Sequence, residues 1–558
     1  MQWTQGYAPL GGNLLLSAAC ALVPIIFFFW ALAVKRMKGY IAGLFTLAVS
    51  LLIAVFVYGM PAEKAVMSAS QGAVYGLLPI GWIIVTSVFL YKITVKTGQF
   101  EIIRSSVLSI TDDRRLQALL IAFSFGAFLE GAAGFGAPVA ISAALLVGLG
   151  FQPLYAAGIC LIANTAPVAF GAIGIPITAV EGPTGIPAME ISQMVGRQLP
   201  FLSVFIPLYL IILMSGFKKA FEIWPAILVS GVSFAAVQYA SSNFLGPELP
   251  DVLSALVSMA ALALFLKFWK PKTAFRFAAE RESAAAADRA PIKYGGAAVF
   301  KAWSPFLLLT AMISVWGIPG VKAALTGHYE GTSMWLSWLN AAGRALTFTP
   351  PVPFVNQQIL QADGTPIEAV YKLELFGSAG TAILIAAVIS KFALGMSWKT
   401  WGEAFIETVK ELTLPVVTIV SVVGFAYVTN ASGMSTTLGL ALAMTSAMFT
   451  FFSPVLGWLG VFITGSDTSA NLLFGGLQKV TALSVGMDPV LSVAANSSGG
   501  VTGKMISPQS IAVACAAVGL AGKEADLFRF TIKHSLFLLL LVCLITFLQH
   551  HLFSWMIP

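Results

Sequence analysis

Long apolar runs alternate with short charged stretches along this chain. Runs near 13–34, 40–59, 70–91, 199–216, 222–246, 250–268, 300–319, 375–392, 412–430 and 534–556 approach or exceed the roughly 20 residues an α-helix needs to cross about 30 Å of hydrocarbon. Two further regions, 118–180 and 436–520, are equally apolar but are broken repeatedly by Gly, Pro and small polar residues. The pattern predicts an all-α polytopic membrane protein with about 12 full spans plus two broken or re-entrant hairpin regions.

Composition agrees. Charged residues make up 10% of the 558, where a soluble globular chain carries about a quarter. Apolar types make up 58%, and the mean hydropathy is +0.88. These values exclude a soluble enzyme, a disordered chain and a nucleic-acid-binding module. The excess of +7 is small for this length and suits membrane loops better than a basic patch. Cys20, Cys160, Cys515 and Cys543 sit in apolar runs without metal-ligand spacing, and the four histidines form no cluster with carboxylates. Neither a metal nor a cofactor is expected. The first charge is Lys35, after a full-length apolar run, so the first segment should remain as a transmembrane helix rather than be cleaved as a signal peptide.

Charge placement orients the spans. With the N-terminus outside, 24 of the 31 Lys and Arg fall on inside stretches: 35–38, 92–115, 218–219, 267–301, 391–410 and 523–533. The positive-inside bias therefore favours both termini outside. The segment 270–298 is charged and Ala-rich and reads as a linker. The segment 320–373 would lie outside as interfacial structure. The chain divides into an N-terminal transport repeat (1–216), connecting spans with a cytoplasmic linker (217–299) and a C-terminal transport repeat (300–558).

The two broken regions resemble each other. Asn164, Gly171 and Pro176 stand at offsets 0, 7 and 12, as do Asn496, Gly503 and Pro508. Upstream, Thr97-Gly98-Gln99 corresponds to Ser432-Gly433-Met434, and Glu130 in "FLEGAAGFGAP" falls near Asp467 in "ITGSDTSANLLFGG". The charge-derived topology places Gly98 inside and Gly433 outside, so the simplest account is two inverted-topology repeats enclosing a midplane site.

Irregular backbone at membrane depth is tolerated only where it is buried or lines a water-filled cavity. Runs such as Gly131 to Pro138 and Ser497 to Gly500 therefore predict half-helices or hairpins whose N-termini suit a carboxylate. Scattered glycines have a second reading, close helix packing. Glu130 and Asp467 are carboxyls in apolar surroundings, suited to picking up and releasing protons. Lys504, which with Lys479 is basic within the second broken region, either attracts an anionic substrate or neutralises Asp467. Asn164, Thr165, Ser466, Thr468, Ser469, Asn471, Asn496, Ser497 and Ser498 are small hydrogen-bonding groups that can orient a small hydroxy acid without burying another charge. Arg197 reads as an interfacial anchor.

Across nearly its whole length the chain resembles the bacterial lactate permease family, which includes L-lactate and glycolate permeases. The resemblance rests on "LVPIIFFFWALAV", "KTGQFEIIRSSVLSIT", "FLEGAAGFGAPVAI", "LIANTAPVAFGAIGIP", "GRQLPF", "SSNFLGPELPD", "FFSPVLGWLGVFITGSDTSANLLF", "ANSSGGVTGKMISPQSIAVACAA" and "KEADLFRFTIKHS". The chain departs in the linker 270–298 and at Ala470, where the family pattern has Ser, which argues against a side-chain contact at 470. The resemblance implies a carrier, not an enzyme. It would import 2-hydroxymonocarboxylates such as L-lactate, D-lactate and glycolate across the inner membrane, with proton symport and alternating access. Its partners would be substrate, proton and lipid. A sodium-coupled organic anion carrier is the alternative.

Overall fold

The computed structural model describes residues 2–35, 37–132, 134, 137–277, 294–371, 373–520 and 523–558. Most of the linker at 270–298, and Ala133, Phe135 and Gly136 of the first glycine-rich break, lie outside the described residues. The long elements are all helices, and two of them pass through π-helical turns, Gly76–Gly81 and Leu119–Phe125. Two pairs of two-residue strands accompany them, Trp3–Thr4 parallel to Ile359–Leu360 and Thr347–Phe348 antiparallel to Leu373–Glu374.

Among the described residues, nine helices are long and apolar enough to cross a membrane, or ten if the bent pair Pro153–Ala163 and Val168–Thr184 counts as one span. The expectation of about 12 full spans is higher because four apolar segments fold as helices of 10–17 residues: Pro138–Gly148, Ala379–Leu394, Met434–Ala443 and Phe449–Thr464. These fall short of the roughly 20 residues a straight crossing needs. Exposed Leu15, Phe45, Phe56, Leu264 and Leu540 line the outer faces of the long helices, where lipid replaces water.

One short series of elements occurs twice. A 35-residue helix, Ala62–Lys96, ends at Gly98 in the left-handed conformation (φ 71°), and the 10-residue helix Gln99–Leu108 follows. In the second half the 35-residue helix Trp398–Ser432 ends at Gly433 (φ 85°), followed by the 10-residue helix Met434–Ala443. A side chain at either glycine would strain the turn that reverses the chain. The two long helices also meet: a Cβ on Gly72 would sit 2.6 Å from the Val423 carbonyl oxygen and 2.7 Å from Gly424 Cα, so this crossing requires glycine.

The segment after Gly296–Gly317 carries two short helices, Pro319–Leu325 and Met334–Leu346, and three of the strands. Trp335 and Trp338 are exposed on it. Buried Lys64 ties it to the first long helix, donating to Phe354 O (2.8 Å) and Gln358 Oε1 (3.2 Å). Arg197 donates to Asn243 Oδ1 (2.9 Å) and Met556 O (2.8 Å), so it joins chain segments rather than a binding site.

Candidate transport site

The site lies where broken helices from the two halves meet. In the second half, Gly465 (φ 71°) ends Phe449–Thr464, and Ser466 caps the next helix, its Oγ accepting from Ser469 N (3.2 Å). Further on, Pro489–Lys504 ends and Ser507 caps Pro508–Ala517, its Oγ accepting from Ser510 N (3.2 Å). In the first half, Gly126–Ala132 carries Glu130, and Gly134 follows at φ 60°. Pro153–Ala163 and Val168–Thr184 meet at a 66° bend. Beyond it Ala172 (φ 45°), Ile173 (φ 59°) and Gly174 (φ 69°) form a left-handed turn. A β-branched residue is an outlier there, and such strain of roughly 1–3 kcal/mol per residue persists only where the surroundings enforce it.

These ends enclose a cavity of about 100 Å³ lined by Glu130, Gly171, Ser466, Asp467, Thr468 and Lys504, among others. That is well below the roughly 300–1,000 Å³ of drug-sized sites, so it suits a ligand of a few heavy atoms. Gln509 and Ser510 bring the N-terminus of Pro508–Ala517 to its wall, and Ser466–Thr468 bring that of Asp467–Val485. Helix N-termini present N–H groups and partial positive charge.

Lys504 bonds Glu130, not Asp467: its Nζ lies 2.7 Å from Glu130 Oε1, with side-chain exposures of 13% and 4%. Neutralising Asp467 is one of the two roles that sequence leaves open to Lys504; the end of Pro489–Lys504 instead delivers the ammonium to Glu130. Removing one partner from a buried pair leaves a bare charge and costs about 3–5 kcal/mol. Gly171 makes room for the pair, since a Cβ there would sit 2.7 Å from Glu130 Oε1.

Asp467 is held by neutral groups. Ser497 Oγ and Asn471 Nδ2 (3.3 Å) donate to its Oδ2. The chain continues inward: Asn496 Nδ2 donates to Asn471 Oδ1 (2.8 Å), Gln478 Nε2 to Asn496 Oδ1 (3.0 Å), and Ser453 (2.8 Å) and Ser492 (2.7 Å) to Gln478 Oε1. Asn471 also donates to Pro176 O across the halves (3.1 Å). Glu130 Oε2 and Asp467 Oδ1 are buried without a hydrogen-bond partner. Each such orphan needs an explanation. Both acids line the cavity, so a ligand, water or proton can supply the missing partner.

Of the twelve residues that sequence singles out, Glu130, Ser466, Asp467, Thr468 and Lys504 line the cavity. Ser469, Asn471, Asn496 and Ser497 stand behind Asp467. Asn164, Thr165 and Ser498 are buried away from the lining, each with an unpartnered side-chain oxygen. Ser497–Gly500 is no break: it lies within the continuous helix Pro489–Lys504. Its glycines follow the packing alternative, because Gly499 and Gly503 press on Pro454 O and Trp458 O, and Gly457 on Asn496 O.

Sequence reading missed Gln509, Ser510, Gln478 and Asp251. Asp251 opens Pro250–Phe268, fully buried, with both carboxylate oxygens unpartnered. An unpaired buried ion is penalised by several kcal/mol, whereas a helix N-terminus returns about 0.3–2 kcal/mol. The available signal was a carboxylate directly after Pro inside a predicted span.

The L-lactate permease family matches residues 17–553. An L-lactate permease of Bacillus subtilis (strain 168) is 85% identical over 563 residues, covering 100% of both chains. Glycolate permease GlcA of Escherichia coli (strain K12) is 54% identical, covering 100% of this chain and 99% of that one. An L-lactate permease of the same strain is 53% identical over 100% of both. The crystal structure of the Alcanivorax borkumensis YdaH transporter matches 87% of this chain and 88% of that one at a TM-score of 0.42 and 15% identity, too distant a likeness to carry an argument.

Proposed function

The chain belongs to the L-lactate permease family, and from that premise we propose that it imports L-lactate and related 2-hydroxymonocarboxylates, glycolate and D-lactate, across the bacterial inner membrane by proton symport. The observation that carries the coupling is the Lys504–Glu130 pair at the cavity. One ammonium faces two candidate carboxylates, the resident Glu130 and the incoming substrate. When the substrate carboxylate takes Lys504, Glu130 loses its partner in apolar surroundings and accepts a proton. The charge of the loaded site equals that of the empty one, so substrate and proton cross together. This matters because a monoanion entering against an inside-negative potential costs about 2.3 kcal/mol per 100 mV, which one proton cancels.

Asp467, with its free Oδ1 on the same cavity, is the second candidate proton site and otherwise accepts from the substrate hydroxyl. Ser466 and Thr468 orient that hydroxyl, while Ser469, Asn471, Asn496 and Ser497 hold the helix end and the acid in place. Asn164, Thr165 and Ser498 take up contacts as the site opens to the other side in alternating access. The repeats 1–216 and 300–558, inverted with both termini outside, move about this site while 217–299 connects them.

In proteoliposomes, Glu130→Gln should abolish proton-driven L-lactate uptake while sparing lactate–lactate exchange. Undiminished uptake with lumenal acidification would overturn the assignment of Glu130. A sodium-coupled carrier has one observation in its favour, the unpartnered Asp467 Oδ1 beside the Ser466 and Thr468 oxygens. Replacing sodium during uptake, with a protonophore control, separates the two.

A further inference from the structure

Asp251 carries no transport role above, yet its setting is unusual. It is fully buried, neither carboxylate oxygen has a partner, and it lies against the helix end that bears Glu130. A Cβ on Gly131 would sit 2.7 Å from Asp251 Cβ and 3.0 Å from Val252 N, so the two backbones are in contact one residue from Glu130. Losing water without gaining a partner disfavours a carboxylate more than a place in the first helical turn favours it. The surroundings thus suit Asp251 as a neutral acid with an O–H to give. The neighbouring Glu130 holds Lys504 through Oε1, with Oε2 free to accept.

The other charged or titratable groups on the elements around Asp251 are engaged or distant. Arg115, in the helical run that leads to Glu130, is bound to Asp113 and Glu222. Tyr239 of Trp224–Phe244 is exposed, Glu181 lines a separate cavity at the far end of Gly171–Thr184, and Lys267 lies in the last turn of Asp251's own helix. Half-buried Glu248 stands on the loop leading into that helix.

We propose that Asp251 is a proton relay for Glu130, giving protons a route that bypasses the substrate cavity. When substrate takes Lys504, the freed Glu130 side chain swings to Asp251, with which it shares no hydrogen bond in this structure. The Asp251 O–H bond then breaks as a Glu130 O–H bond forms, and Asp251 regains its proton from solution at the loop 245–249. The proposal rests on the proton-symport reading and assigns the step that loads Glu130. Asp251 acts through Glu130 and is not itself a substrate ligand.

The test compares net uptake with exchange in proteoliposomes carrying the full chain. Asp251→Asn should slow proton-driven L-lactate uptake by about a hundredfold, the low side of what a positioned proton donor contributes. Counterflow, which needs no net proton movement, should be unchanged, and so should the ratio of protons to lactate in the residual uptake. Asp251→Glu should restore much of the rate. Wild-type uptake in Asp251→Asn would overturn the relay, as would an equal loss of uptake and counterflow. If the wild-type carrier moves lactate without protons, the symport reading itself fails, whatever the variants do.

Discussion

The two broken regions share spacing, order and glycine turns, but they solve different problems. The first, 118–180, is broken in its backbone: a 66° bend, a left-handed turn through Ile173, and unpartnered oxygens on Asn164 and Thr165. The second, 436–520, keeps helices packed through Gly457, Gly499 and Gly503 and joins many of its polar groups in a chain from Ser497 to Ser453, with Asp467 Oδ1 and Ser498 Oγ left unpartnered. The first contributes an acid on a strained support; the second contributes a cation and a second acid on a firm one. Sequence repeats thus need not be functional copies. The coupling proposed above depends on that asymmetry, because a single lysine must serve both halves.

Lys504→Gln should give the largest effect. It strips Glu130 of its partner, a loss of about 3–5 kcal/mol for a buried pair, and removes the substrate's anchor. Uptake and counterflow of labelled L-lactate should both fall to background, with a lowered melting temperature in detergent. Adding Glu130→Gln should recover much of the melting temperature but no transport. Recovery of transport would mean that the lysine does not bind substrate.

Ser497→Ala probes the firm side. It removes one of the two donors to Asp467 Oδ2 and leaves Asn471 Nδ2 as the other, a loss of about 0.5–3 kcal/mol. The expected result is a several-fold rise in the KM for L-lactate with the fold intact. An unchanged KM would remove Asp467 from the binding account. Ile173→Gly probes the strained side. It relieves a left-handed β-branched residue, roughly 1–3 kcal/mol, but Ile173 is fully buried, and deleting its side chain costs about 2–5 kcal/mol. The melting temperature should therefore fall, by less than the lost burial alone would give, while the rate of transport changes. An unchanged rate of transport would show that the left-handed turn has no part in the transport cycle.

Much of this arrangement was legible in the sequence. Hydropathy located the apolar centres of the long helices, since their minimum length follows from bilayer thickness, but not their ends: Trp398–Ser432 and Glu524–His551 begin well before the apolar runs 412–430 and 534–556. Gly98 and Gly433 marked the two turns because only glycine enters that conformation freely. Equal spacing misled where packing decides: Gly171 faces Glu130 beside the cavity, whereas its counterpart Gly503 lies inside a helix against Trp458. The Lys504–Glu130 pair joins residues 374 positions apart, and no local pattern encodes such a contact. Asp251 escaped notice because a carboxylate at a span's edge looks like an interfacial charge until its burial is known.

The central claim is that substrate and Glu130 compete for Lys504, so that binding a monoanion protonates the carrier. Binding-linked proton uptake tests it without any transport step. L-Lactate is added to purified carrier in weakly buffered detergent solution while pH is followed. The account predicts about one proton taken up per lactate bound by the wild type, and none by Glu130→Gln. Saturable lactate binding with no proton uptake by the wild type would contradict it.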